Sequence, residues 1–169
     1  MDTLWAPWRQ AYVEKCTKPK KKGCVFCAIL KSSEDRKNFI FLRSVHSFAV
    51  LNIYPFNGGH VLVIPNRHVA DLEALAAEEL ADLMATVLQA KALMARAFGP
   101  DAFNIGMNLG GHAGAGIPDH LHIHIVPRWK GDVNFMPALF GTKVIPVSLD
   151  ETYKRLKDAD KARDRKVRK

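Results

Sequence analysis

"HLHIHIV", residues 120–126, is the stretch on which the reading of this chain turns. Side chains on an extended strand alternate between faces, with a rise of about 3.3 Å per residue. His120, His122 and His124 therefore share one face, and Leu121, Ile123 and Ile125 share the other. The aliphatic face is ordinary core. The imidazole face is not, because three adjacent histidines repel if all are protonated, and each needs a hydrogen-bond or metal partner where it is buried. A metal-binding stripe or a solvated strand face would account for the pattern alone. The preceding "NLGGHAGAG", residues 108–116, points instead to a reactive site, since the bare backbone N–H groups of a glycine-rich loop can approach an anion closely.

Outward from this stretch, "NFIFLRS", "SFAVLNI" and "HVLVIP" are short β-rich runs that predict strands, with turn chemistry in "YPFNGG". From Asp71 to Phe98 the chain is rich in Ala, Leu, Met and Glu. Leu72, Leu75, Leu80, Leu83, Val87, Leu88 and Met94 recur at spacings that build an apolar helical face, broader than one small sheet covers. The spacing predicts one long helix with a short turn in front, ended by Gly99-Pro100. "FNIGMNLG" predicts a strand and "KVIP" a last short one. "SLDETYKRL" predicts a short helix capped by Ser148, with Glu151 at the third position of a capping box. The order β-β-β-α-β-β with one long helix indicates an α+β domain built on an antiparallel sheet. The expected boundaries are an arm over residues 1–23, pinned by Trp5, Trp8 and Tyr12, a domain over 24–156 and a basic tail over 157–169.

The length of 169 residues suits one domain with a real core, and 48% hydrophobic residues is a globular composition. No apolar run approaches the roughly 20 residues of a membrane helix. "MDTLWAPWRQ" lacks the basic-then-apolar-then-small pattern of a signal peptide, which implies a cytoplasmic protein. Much of the basic excess behind the net charge of +8 lies in "KPKKKG" and "KDADKARDRKVRK". Such runs are usually solvated, and their field attracts anionic ligands. A nucleic-acid partner is possible but not favoured, because neither run is interleaved with stacking aromatics. Three cysteines are a poor disulfide framework. Cys24 and Cys27 form a C-x-x-C, which suits a metal or redox use, and Cys16 has no evident partner.

The alternation of histidine with aliphatic residues over 120–126 resembles the signature of the histidine triad family of nucleotide hydrolases and transferases. The resemblance runs from about Cys24 to Arg128, and "GGHVLVIPNRH" is similar to the family's second signature stretch. The segment from Pro127 to Leu156 resembles the branch containing bacterial diadenosine tetraphosphate phosphorylases. The resemblance implies a HIT-like antiparallel sheet and catalysis through a nucleotidyl-histidine. His122 would attack the α-phosphorus, with its other nitrogen held protonated by a backbone carbonyl of a neighbouring triad residue. His124 would hydrogen-bond phosphate oxygens and His60 would lie near the leaving group. Gly114 and Gly116 would supply loop amides, Asn108 a phosphate contact and Asn52 a ribose contact. Phe26, Ile29, Val50 and Ile53 fall where relatives line the base pocket. Many relatives carry Gln where this chain has Gly116, so side-chain donors to phosphate are fewer here, and Arg128 or Lys143 could compensate. His112, in the same loop, is expected to face water.

Related proteins complete a C-x-x-C metal site with the histidine after "IP-x-x" and the first triad histidine. That resemblance implies a structural zinc on Cys24, Cys27, His68 and His120, the alternative being a reduced C-x-x-C without metal. It also implies a homodimer paired through the long helix and a strand. The expected activity is cleavage of dinucleoside polyphosphates, splitting diadenosine tetraphosphate with phosphate into ATP and ADP. A dinucleoside polyphosphate hydrolase or a nucleoside phosphoramidase is the alternative. A module that only binds nucleotide or nucleic acid ranks last, having no need of the middle histidine.

Overall fold

The computed structural model describes residues 23–132 and 145–167. The aromatic arm, Cys16 and Lys143 lie outside the described residues. Helix α1 (Val25–Lys31) leads into strands β1 (Ile40–Arg43), β2 (Ser47–Leu51) and β3 (Val61–Pro65). Helix α2 (Ala77–Phe98) follows, then β4 (Ala102–Met107), β5 (Ile123–Arg128) and helix α3 (Leu149–Val167). The five strands form one sheet in the order β1-β2-β3-β5-β4, with every neighbouring pair antiparallel. This is the α+β architecture that the patterning predicts, with the histidine strand between β3 and β4.

The long helix has the expected limits. A 3-10 turn at Leu72–Ala74 precedes it, capped by the Asp71 side chain. Glu79 accepts the Ala76 N–H at 2.9 Å, satisfying one of the orphan donors at the helix start. Gly99 takes the left-handed conformation at φ 58° and returns its N–H to Ala95 O, which closes the helix. Leu83, Val87, Ala90, Leu93 and Met94 pack on the sheet face made by Ala49, Leu51, Val61, Val63, Ile123 and Ile125. Burying one such leucine fully contributes about 2 kcal/mol. The opposite sheet face buries Phe26, Ile40, Phe48, Val50, Leu62 and Ile64 beneath α1. Strands β2 and β3 are buried on both sides, so they read as continuous apolar runs.

The C-terminal helix differs from the short one expected. It continues through the basic run as far as Val167. Tyr153, Leu156 and Ala159 bring its apolar side to the α2 cluster, and interspersed acids such as Asp158, paired with Lys161, relieve the like-charge repulsion. Ser148 caps it as expected, accepting the Glu151 N–H at 3.2 Å. Tyr153 and Lys157 donate to the backbone carbonyls of Ile40 and Phe41 in β1, and Arg155 donates to Ala97 O at the end of α2. Of the expected strand at 143–146, Lys143 and Val144 lie outside the described residues, and Ile145 and Pro146 are irregular. No helix among the described residues is long and apolar enough to cross a membrane.

Candidate active site and metal cluster

The histidine ladder begins later than the alternation suggests. Pairing with β3 and β4 starts at Ile123, so His120 and His122 lie just ahead of the strand. The Leu121 N–H bonds to Val69 O at 2.7 Å instead of to a ladder partner. The extended alternation survives without the ladder, for Leu121, Ile123 and Ile125 all reach the α2 core. The rings of His122 and His124 stand 5.0 Å apart, and those of His124 and His60 stand 5.1 Å apart.

Each ring's tautomer follows from its partners. The Nδ1–H of His122 donates to the carbonyl oxygen of His120 at 2.8 Å. The proton is thereby fixed on Nδ1, and Nε2 keeps its lone pair. Burial pushes the His122 pKa down, opposed by the bond to His120 O, so the ring stays neutral at pH 7. His60 Nδ1 accepts the Phe56 backbone N–H at 3.0 Å, which leaves the His60 proton on Nε2. That Nε2–H faces His124 Nδ1 at 2.9 Å, and His124 therefore carries its own proton on Nε2. Burial, with the nearby His122, lowers the His124 pKa to about 4. The Nε2 atom of His124 is buried and finds no hydrogen-bond partner among the described residues. A buried donor left unmatched is costly, and its place beside the neutral His122 ring suits an anionic oxygen brought by a ligand.

The glycine loop is a folded 3-10 turn at Gly111–Ala113. Gly114 sits at φ 92° and spends its N–H on Gly111 O, closing that turn. Asn108 Nδ2 reaches Gly114 O across the loop at 3.5 Å. His112 is exposed, as expected. Asn52 is held within the protein, its Oδ1 accepting the Tyr54 N–H at 2.9 Å and its Nδ2 lying 3.3 Å from His60 Nδ1. Phe26, Ile29 and Val50 come together in the α1-side cluster, whereas Ile53 is exposed on the β2–β3 loop outside it. Arg128 is committed elsewhere than the glycine loop. It binds Asp132 through two bonds, at 2.6 and 2.9 Å, and Asn104 through a third.

The other cluster gathers Cys24, Cys27, His68 and His120 from the start of α1, the turn after β3 and the approach to β5, with their ligand atoms all within 4.8 Å of one another. His120 Nε2–H donates to Pro65 O at 2.9 Å, so its Nδ1 lone pair faces the cluster. The separations are 3.2 Å for Cys24 Sγ to His120 Nδ1, 3.4 Å for Cys27 Sγ to His68 Nδ1, and 3.2 Å between the two Nδ1 atoms. A tetrahedral ion with ordinary Zn–S and Zn–N bonds gives edges of about 3.6 Å for S···N and about 3.4 Å for N···N. The four groups fit a single four-coordinate metal. Burial and the neighbouring Cys24 push the Cys27 thiol pKa up, and a bound cation would pull it down.

Two contributors, Phe56 and the Pro65 carbonyl, escape a reading of the sequence, and the expected Phe26 has a further role. Phe56 stacks on His60 at 4.9 Å and 26°. The Pro65 carbonyl sets the His120 tautomer. Phe26 packs against the rings of both His120 and His122, at 5.5 and 5.3 Å. The aromatic residue amid the turn residues of "YPFNGG" was the one signal for Phe56, and carbonyl acceptors leave none.

A buried neutral imidazole at His122, a second histidine beside it and a glycine loop ahead of both, on a five-stranded antiparallel sheet, define a histidine triad protein. The chain belongs to that family: the family model described as HIT domain matches residues 33–131. An AP-4-A phosphorylase of Mycobacterium tuberculosis (strain ATCC 25618 / H37Rv) is 37% identical over 161 residues, covering 92% of this chain and 83% of that protein. A bis(5'-nucleosyl)-tetraphosphatase (asymmetrical) of Schizosaccharomyces pombe (strain 972 / ATCC 24843) is 42% identical over 93 residues, 55% of this chain and 50% of that protein. Among solved structures, a Zn-bound histidine triad family protein from Mycobacterium smegmatis is similar with a TM-score of 0.64 and 32% identity, covering 85% of this chain and 96% of that one.

Proposed function

We propose that the protein is a nucleotidyltransferase that splits dinucleoside polyphosphates with inorganic phosphate, converting diadenosine tetraphosphate to ATP and ADP. The observation that carries this reading is the pairing of a neutral His122, its Nδ1 tied to His120 O, with the unmatched Nε2–H of His124. The His122 Nε2 lone pair forms a bond to the α-phosphorus as the bridging P–O bond breaks and its electron pair leaves with the outgoing nucleotide. The ring becomes a cation, stabilised by the His120 carbonyl. The His124 Nε2–H binds a phosphoryl oxygen, and the His60 Nε2–H holds His124 in the tautomer that can donate. A phosphate oxygen then attacks the same phosphorus, and the N–P electron pair returns to Nε2.

Asn108 and the loop around Ala115 and Gly116 would hold the phosphates, and the Gly114 amide is spent within its turn. Asn52 would hold the ribose through the Nδ2 hydrogen it does not direct at His60, and Phe26, Ile29 and Val50 would border the transferred base, Ile53 being exposed outside their cluster. The small side chains at 114–116 leave room for phosphate as acceptor, and the excess of basic residues raises its local concentration. Labelled phosphate decides the acceptor. Label in ADP supports phosphorolysis, while AMP as the main product at saturating phosphate reassigns the protein as a hydrolase.

Zinc suits the Cys24, Cys27, His68 and His120 set, where it would join α1 to the sheet in a closed shell. A second copy would cover Leu80, Met84 and Leu88 on the outer side of α2, of which Leu88 is 65% exposed, together with Ile105 on β4. Light scattering that gives a monomer at micromolar concentration contradicts that pairing. These properties suit a cytoplasmic enzyme.

A further inference from the structure

The β2–β3 loop displays three large apolar side chains to solvent: Ile53, Tyr54 and Phe56 are 56%, 80% and 51% exposed. The loop backbone is nevertheless fixed. The Asn52 N–H bonds to His60 O at 2.9 Å, the Tyr54 N–H to Asn52 Oδ1 and the Phe56 N–H to His60 Nδ1. Asn57 Nδ2 donates to Pro127 O at 3.0 Å and to Asp132 Oδ2 at 2.8 Å, and Asp132 is itself gripped by Arg128. An aromatic surface held this firmly loses little freedom when a ligand lies on it.

The surface also continues the catalytic row. Phe26, His122, His124, His60 and Phe56 follow one another with ring centroids 5.3, 5.0, 5.1 and 4.9 Å apart. The nucleophile stands near the Phe26 end, beside the apolar cluster assigned to the transferred base. Phe56 closes the other end, beyond the His124 donor. Residues 52–59, "NIYPFNGG", contain no charged side chain, so this end suits a flat uncharged group better than a phosphate.

We propose that Tyr54 and Phe56 form a stacking platform for the nucleobase of the outgoing nucleotide, selecting substrates with a nucleoside at both ends of the phosphate chain. The proposal rests on the dinucleoside polyphosphate reading above. A base offers a π-face whatever its identity, so the platform would select for a second base without choosing among bases.

The test compares diadenosine tetraphosphate with adenosine 5'-tetraphosphate, which has as many phosphates and one nucleoside fewer. The KM for the dinucleoside should rise about tenfold in Tyr54→Ala, the loss of one stacked base, with the KM for adenosine tetraphosphate little changed. Tyr54→Trp should restore the preference. Equal effects on the two compounds, or none on either, overturn the platform. A change of molar mass in Tyr54→Ala by light scattering also overturns it, assigning Tyr54 to a subunit contact. Should wild type cleave neither compound, the reaction is wrong. The platform then stands or falls on calorimetric binding of the same two compounds, where wild type should prefer the dinucleoside and Tyr54→Ala should not.

Discussion

Two clusters of imidazoles lie side by side in this protein and meet at His120, whose backbone carbonyl holds His122, yet they are built to opposite plans. Around Cys24, Cys27, His68 and His120, acceptor atoms converge at 3.2–3.6 Å with the His120 lone pair turned inward. Around His60, His122 and His124, each contact has a direction: Phe56 N–H to His60, His60 to His124, and His122 to the His120 carbonyl. The first arrangement suits a positive charge at its centre, and the second suits an acceptor at its end. What would separate a metal ligand from a nucleophile here is which ring nitrogen a backbone group has already taken. Pro65 O takes Nε2 of His120 and frees Nδ1, and His120 O takes Nδ1 of His122 and frees Nε2.

The largest effect should come from breaking the directional cluster alone. On the proposed mechanism His122→Ala removes the atom that forms the covalent bond, and turnover should fall by at least about a thousandfold. Nucleotide affinity and metal content should stay near wild type. Wild-type rates would end the covalent mechanism, and loss of metal would show that the two clusters are not separable at His122.

The converse substitution should strike stability first. Freshly purified, unchelated protein should carry about one zinc per chain, as a closed set of two thiolates and two imidazoles requires. Cys24→Ser should lower both zinc content and melting temperature, because α1 then loses its tie to the sheet. Elemental analysis that finds no zinc in the wild-type protein sinks the assignment.

Much of this was legible from local pattern. The long helix announced both ends, through helix formers after Asp71 and through Gly99-Pro100, and Ser148 announced the start of α3. The histidine alternation marked its two faces correctly, because an extended backbone alternates whether or not it is paired. For the same reason it could not show that the ladder begins only at Ile123. The end of α3 was hidden by its charges, since a Lys- and Arg-rich run reads alike as a solvated tail and as the outer face of a helix. Arg128 looked available for phosphate because its partner, Asp132, lies in a turn that no periodicity marks. The resemblance carried the four metal-site residues, which come from three distant segments. Their mutual distances, like the tautomers, depend on packing and carbonyl positions that residue types do not encode.

The smallest expected effect tests the neutrality of the directional cluster. Unfolded, His124 takes up a proton near the ordinary histidine value of 6.5, and folded it does so only at about 4. Between those values the unfolded chain binds more protons, so acidification favours unfolding and stability rises with pH across this window. Above about pH 6.5 both states are neutral and the contribution is flat. At pH 5 the loss from this one group is at most about 2 kcal/mol, and less to the extent that water reaches the ring. His124→Gln keeps a polar group in place and cannot titrate, so its melting temperature should fall less than wild type's between pH 7 and pH 5. His120 and His122 are also held low by burial and will preserve part of the slope in both proteins. The informative quantity is therefore the difference between the two slopes. Identical slopes would mean that His124 is protonated in the folded protein as readily as in the unfolded chain, and the unmatched Nε2–H would then be no evidence of a neutral donor.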